Sequence, residues 1–118
     1  MIYRIAELAD WHAAQQTGFF ASADLGAEGF IHASELYQVL GTAHRYYAGR
    51  QDIVLLELDE NELWMAAVPV QREYAEARDD YFPHILAPVP LAAIVRAVPF
   101  LTDADGRHAL PPDLDELA

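Results

Sequence analysis

The apolar positions of this chain change their spacing several times, and each change predicts an element. Residues 2–5, IYRI, are apolar and aromatic and predict a first strand. From 7 to 17 the spacing is helical: Leu8, Trp11 and Ala14 share a face, and Gly18 stands where a glycine ends a helix. FFAS (19–22) and GFIHAS (29–34) predict short strands. Ser34 then opens the clearest helix, with Leu36, Val39, Leu40, Ala43 and Tyr47 at helical spacing and Gly49 at its end. IVLLEL (53–58) is a nearly continuous leucine and β-branched run, the mark of a strand buried on both faces. Residues 59–66 predict a turn with one helical turn. VPVQREY (68–74) alternates as a strand, with Pro69 pointing to an edge. AEARDD (75–80) reads as a polar loop, YFPHIL (81–86) as a short extended segment and AIVRAVPF (93–100) as the last strand.

Strands dominate this pattern, and the two main helices fall in the N-terminal half without repeated βαβ alternation. It predicts an α+β fold with helices packed on a mostly antiparallel or split sheet. The length, 118 residues, predicts one domain over 1–118. The segment from about 101 to 118 is expected to be a loosely packed acidic tail, since it holds Asp103, Asp105, Asp113, Asp115 and Glu116.

Composition narrows the chemistry. The formal charge is −12, all seven basic residues are arginines, and there is no cysteine and no lysine. Thiolate zinc sites, cysteine nucleophiles and Schiff-base lysines are excluded. So small a basic complement predicts no broad nucleic-acid face. A few arginines converging in a cleft would still bind a small anion, because the planar guanidinium grips phosphate or carboxylate bidentately. No apolar run approaches about 18 residues, so no membrane span is expected. The N-terminus lacks a signal-peptide pattern, and a cysteine-free chain fits the reducing cytoplasm. Glycine-rich dinucleotide loops, a Walker A loop, HExxH and a nucleophile elbow are all absent from the sequence.

The candidate chemistry lies in the two histidine stretches. Strand alternation puts Phe30, His32 and Ser34 on one face, and Phe82, His84 and Leu86 on one face. A histidine beside apolar neighbours is either a core residue bonded to backbone or a neutral donor and acceptor for a ribose hydroxyl or amide. Ser34 is either a helix N-cap or a ligand contact. Glu73 is either exposed or a cleft carboxylate that stabilises a developing cation. Arg4 is either an edge arginine with a solvated head or an anion clamp. No short ligand spacing joins His32, His44 and His84, so no metal is expected.

Taken together and in order, IYRI, Trp11, GFIHAS, RYYAGR (45–50), DIVLLELD (52–59) and FPHI (82–85) followed by PVPL resemble an uncharacterised bacterial family, domain of unknown function 952. The resemblance covers about residues 2–100, and GFIHAS and FPHI are its most specific parts. It implies an ADP-ribosyltransferase-like fold, a split sheet whose cleft binds NAD in active relatives. It also implies Arg4, His32 and Ser34 as cofactor-binding positions, and His32 and Glu73 as catalytic ones. His84 belongs to the family motif without a superfamily role and is counted with the cofactor-binding candidates. The chain departs from the family pattern at Arg4, often histidine there, and at Leu86-Ala87, often Tyr-Gly. The resulting expectation is a domain that binds NAD or a related ribonucleotide and acts at the nicotinamide ribose. The alternative is a non-catalytic ligand-binding or protein-interaction module.

Overall fold

A computed structural model describes residues 1–117. Its centre is strand β4 (Ile53–Leu58), where all six positions are buried. It pairs antiparallel with β1 (Ile2–Glu7) on one side and β8 (Ile94–Pro99) on the other. Alternation explains why the run carries no polar face. Val54, Leu56 and Leu58 enter one core with Ile2, Ala6, Phe20, Ile31 and Ile85. Ile53 and Leu55 enter a second core with Tyr3, Ile5, Val39, Ala43 and Phe100. The exception is Glu57, buried and ion-paired with Arg96, which also reaches Asp113.

A second antiparallel sheet has the order β3-β6-β5, with β3 at Ile31–His32, β6 at Asp80–Ile85 and β5 at Val70–Ala75. β5 is the exposed edge that Pro69 predicts. Pro83 decides where β3 stops. Neighbours in an antiparallel ladder exchange two hydrogen bonds. Ala33 N–H donates to Pro83 O at 3.0 Å. Pro83 has no N–H to return. The chain leaves the sheet there and pairs with the other one: Ser34 and Tyr3 exchange backbone bonds of 2.7 and 2.9 Å. Two three-stranded sheets therefore touch at one bridge and diverge beyond it. A small pair, β2 (Phe19–Phe20) with β7 (Val89–Pro90), completes the pairing.

The fold is α+β with antiparallel sheets, and five α-helices are present among the described residues: α1 (Leu8–Thr17), α2 (Ala23–Glu28), α3 (Val39–Tyr46), α4 (Glu60–Met65) and α5 (Pro112–Asp115). The helix expected from Ser34 begins later. Glu35 caps a 3-10 turn at Leu36–Gln38 through a reciprocal bond with Gln38, and the α-helix starts at Val39. α2 has no counterpart in the sequence reading. It buries no residue and so leaves no apolar period to detect.

The C-terminal segment is not loose throughout. Pro112 starts α5, and Leu110 and Leu114 enter the second core. Leu114→Ala should therefore destabilise the chain by about 2–3 kcal/mol. Leu117→Ala, at an exposed position, should stay within about 0.5 kcal/mol. Equal urea midpoints for the two variants would show that the tail adds nothing to the core.

Candidate functional site

Asp24, at the start of α2, is the organising residue. Its Oδ2 accepts from Arg4 Nη1 at 2.9 Å, from the His32 backbone N–H at 2.9 Å and from His32 Nδ1 at 2.8 Å. Its Oδ1 accepts from the Ser22 hydroxyl, which is spent there rather than on capping the helix. Arg4 Nη1 also donates to the His32 carbonyl at 2.9 Å. The Arg4 and Asp24 side chains are only 12% and 13% exposed, so this is a nearly buried ion pair. Burial alone pushes the Asp24 carboxyl upward. The hydrogen bonds from His32 and Ser22 and the charge of Arg4 outweigh it and hold the carboxyl well below the usual carboxylate range.

A carboxylate only accepts, so His32 Nδ1 must carry a proton. In the neutral ring the free lone pair is then on Nε2. Among the described residues no group hydrogen-bonds Nε2, and Glu28 is the carboxylate within ion-pair distance of it, at 3.8 Å. The ring is half exposed, so His32 does not point into an apolar wall as its neighbours in sequence suggest.

That description fits His84 instead. The two histidines are direct cross-strand partners, His32 opposite His84. Their ring centroids lie 5.5 Å apart, edge on. His84 stacks on Phe30 at 3.8 Å with planes 10° apart. Its Nδ1 is buried without a hydrogen bond. Glu73 Oε2 stands 3.5 Å away, close enough for charge to be felt but without hydrogen-bond geometry. Burial pushes the imidazole pKa down against the opposing pull of Glu73, so the neutral ring is favoured.

These groups face a cleft of about 790 Å³ at the divergence of the two sheets. Arg4, His32, Ser34 and His84 line it together. Glu73 is not among the lining residues. Its carboxylate sits beside His84, on the exposed edge strand. Tyr46 at the end of α3, Tyr47 just after it and Tyr74 from β5 add aromatic surface. Burial raises the Tyr47 phenol pKa, so it stays a neutral donor. Ser34 is buried, and its hydroxyl lies 3.4 Å from Thr42 Oγ1. Arg78 Nη1 donates to the same Thr42 oxygen at 3.1 Å. Asp24, Thr42 and Arg78 are site residues that the sequence reading did not single out.

Fold and site together define a small α+β domain with a polar, aromatic-walled cleft where two antiparallel sheets part. Residues 5–97 match the family described as Protein of unknown function (DUF952), and the chain belongs to that family. It is 32% identical to protein CC0527 from Caulobacter crescentus in its crystal structure, with 97% of each chain covered and a TM-score of 0.83. Against the solution NMR structure of CC0527 the identity is 33%, with 99% of this chain and 96% of that chain covered and a TM-score of 0.77. No curated protein matches the chain.

Proposed function

We propose that the cleft binds NAD or a related ribonucleotide. One observation carries this reading: Asp24 fixes His32 through Nδ1 at 2.8 Å, which leaves Nε2 unbonded at the cleft. A fixed imidazole nitrogen of this kind suits a ribose hydroxyl or a carboxamide. The cleft volume lies within the range of about 300–1,000 Å³ usual for small-molecule sites. Its tyrosines offer flat surface to a base. The split sheet, with Arg4 on the first strand and His32 and Ser34 at the parting point, is what an ADP-ribosyltransferase-like arrangement would require. Arg4 is spent on Asp24, so its role in this reading is to hold Asp24 and the His32 carbonyl rather than to clamp an anion directly. No helix among the described residues is long and apolar enough to cross a membrane, and a nucleotide ligand suits a cytoplasmic setting.

A second reading, action at the nicotinamide ribose, is favoured by the Asp24–His32 pair itself. A carboxylate that holds Nδ1–H prepares Nε2 to take a proton from water or an acceptor hydroxyl. Glu73 would enter this chemistry through His84.

The test is thermal stabilisation by NAD and ADP-ribose, followed by measurement of nicotinamide release. Both ligands should raise the melting temperature of the wild type, as any ligand selective for the folded state does. His32→Gln should lose most of that shift. No shift with either ligand would end the binding reading. Binding without nicotinamide release would end the catalytic one. If release is seen, His32→Gln should cut it by about a hundredfold or more, and Glu73→Gln should cut it less.

A further inference from the structure

Three arginines line the cleft, and they are not equivalent. Arg4 is bonded to Asp24, and Arg50 is bonded to Glu7 and Asp52. Arg78 meets no carboxylate within the ion-pair distance of 4.0 Å among the described residues. Arg45 and Arg107 also lack such a partner among the described residues, but of Arg45, Arg78 and Arg107 only Arg78 lines the cleft. The two acids that follow it in sequence are turned elsewhere. Asp79 accepts from the Tyr74 hydroxyl, and Asp80 is held by Gln38 and Tyr37. The turn that separates them from Arg78 is sharp, with Asp79 in the left-handed region at φ 50°.

The guanidinium is nonetheless held in place. Its Cζ lies 4.6 Å from the centroid of the Phe82 ring, which gives a cation–π contact. Nη1 donates to Thr42 Oγ1. Nη2 lies against helix α3 at Gly41, where an added Cβ would stand only 3.1 Å from it. Three contacts from two elements, α3 and β6, thus fix the plane of a guanidinium that has no carboxylate within 4.0 Å among the described residues; Asp80 feels its charge only from farther away. Beside it stand two hydroxyls, Thr42 Oγ1 and Ser34 Oγ, 3.4 Å from each other.

We propose that Arg78, Thr42 and Ser34 form an anion subsite of the cleft, which takes a phosphoryl group of the bound ligand. The guanidinium supplies a charged N–H pair, and the hydroxyls supply the further donors that a tetrahedral oxyanion can use. This assignment deepens the ribonucleotide reading. It places the phosphates at the α3 side of the cleft and the ribose at His32. It also gives the anion-clamp role to Arg78 rather than to Arg4.

The experiment is calorimetric titration of the whole chain with pyrophosphate, ADP-ribose, adenosine and succinate, on the wild type, Arg78→Gln and Thr42→Val. Pyrophosphate and ADP-ribose should bind the wild type, more weakly as salt is raised. Arg78→Gln should weaken both by about tenfold or more, the loss expected for one charge-assisted contact. Thr42→Val should weaken both by a smaller factor. Adenosine should bind all three proteins alike. ADP-ribose bound equally by wild type and Arg78→Gln would overturn the subsite and leave the ribonucleotide reading standing. Arg78-dependent pyrophosphate binding without any nucleotide binding would uphold the subsite and end that reading. Succinate bound in preference to pyrophosphate would overturn the phosphoryl assignment. An Arg78→Gln chain that fails to fold shifts the decision to Thr42→Val. Unchanged pyrophosphate and ADP-ribose affinity there overturns the proposal.

Discussion

Asp24→Ala should destabilise the chain by about 3 kcal/mol, the usual cost of removing one partner from a nearly buried ion pair. The substitution strips a partner from Arg4, from two nitrogens of His32 and from the Ser22 hydroxyl at once. Arg4 Nε is already buried without a hydrogen bond, so that side chain has little reserve. Ligand binding should fall further than stability alone explains, because His32 is then free to rotate and to change tautomer. Asp24→Asn should be milder, since it keeps the shape and one acceptor oxygen. It also gives a pH signature. The folded carboxyl titrates below its unfolded value, which lies near about 4. Its contribution is thus complete above that pH and is lost as pH falls through the folded value. Acid unfolding of Asp24→Asn should be less steep than that of the wild type by up to one proton. Chemical denaturation between neutral pH and about pH 3 reads both effects. Parallel acid limbs for the two proteins would contradict the ion pair.

Leu56→Ala should cost about 3–4 kcal/mol, by lost transfer energy and a cavity that β-strands on both sides prevent from closing. Leu56 is fully buried on the central strand and faces the core that contains Ile31, Ala33 and Ile85. Those residues carry β3 and the end of β6, so the cavity opens directly behind the two histidines. Leu55→Ala should cost a similar amount, but on the opposite face, against Val39 and Ala43 of α3. Denaturant midpoints should drop alike in the two variants. Ligand-induced shifts should separate them, with Leu56→Ala disturbing His32 and Leu55→Ala disturbing the Thr42 side. Identical ligand responses would mean that the two cores do not support different halves of the cleft.

Much of this fold is written in local pattern. Five apolar residues of six leave β4 no exposed face, and all six positions are buried, Glu57 included. GFIHAS is equally direct: Ile31 and Ala33 point to the core, and His32 points away from it. What local pattern cannot hold is pairing. That the two histidine stretches are neighbours depends on Ile31 meeting Ile85, a contact between residues 54 positions apart. The split in the sheet needs the same register, since Pro83 matters only once Ala33 is known to face it. Asp24 escaped notice because α2 buries nothing and carries Gly26 in its middle. Arg78 sat in what looked like a polar loop, and its partner Thr42 is 36 residues away. Leu110 and Leu114 lie among acidic residues and on either side of Pro111-Pro112, so no periodic pattern in the sequence marks them as core, although both are buried.

Strand β3 is only two residues long, so its backbone bonds do little to choose among possible alignments with β6. Side-chain polarity must choose. Slipping β3 by one residue turns it over. Ile31 would then face water, at a cost of about 2 kcal/mol. His32 would enter a dry core away from Asp24, at a comparable cost for an unpaired polar ring. A misaligned intermediate is thereby penalised at both positions before the rest of the sheet has formed. The alternation of isoleucine and histidine that supplies the cleft with its imidazoles also rejects the folding errors that would misplace them.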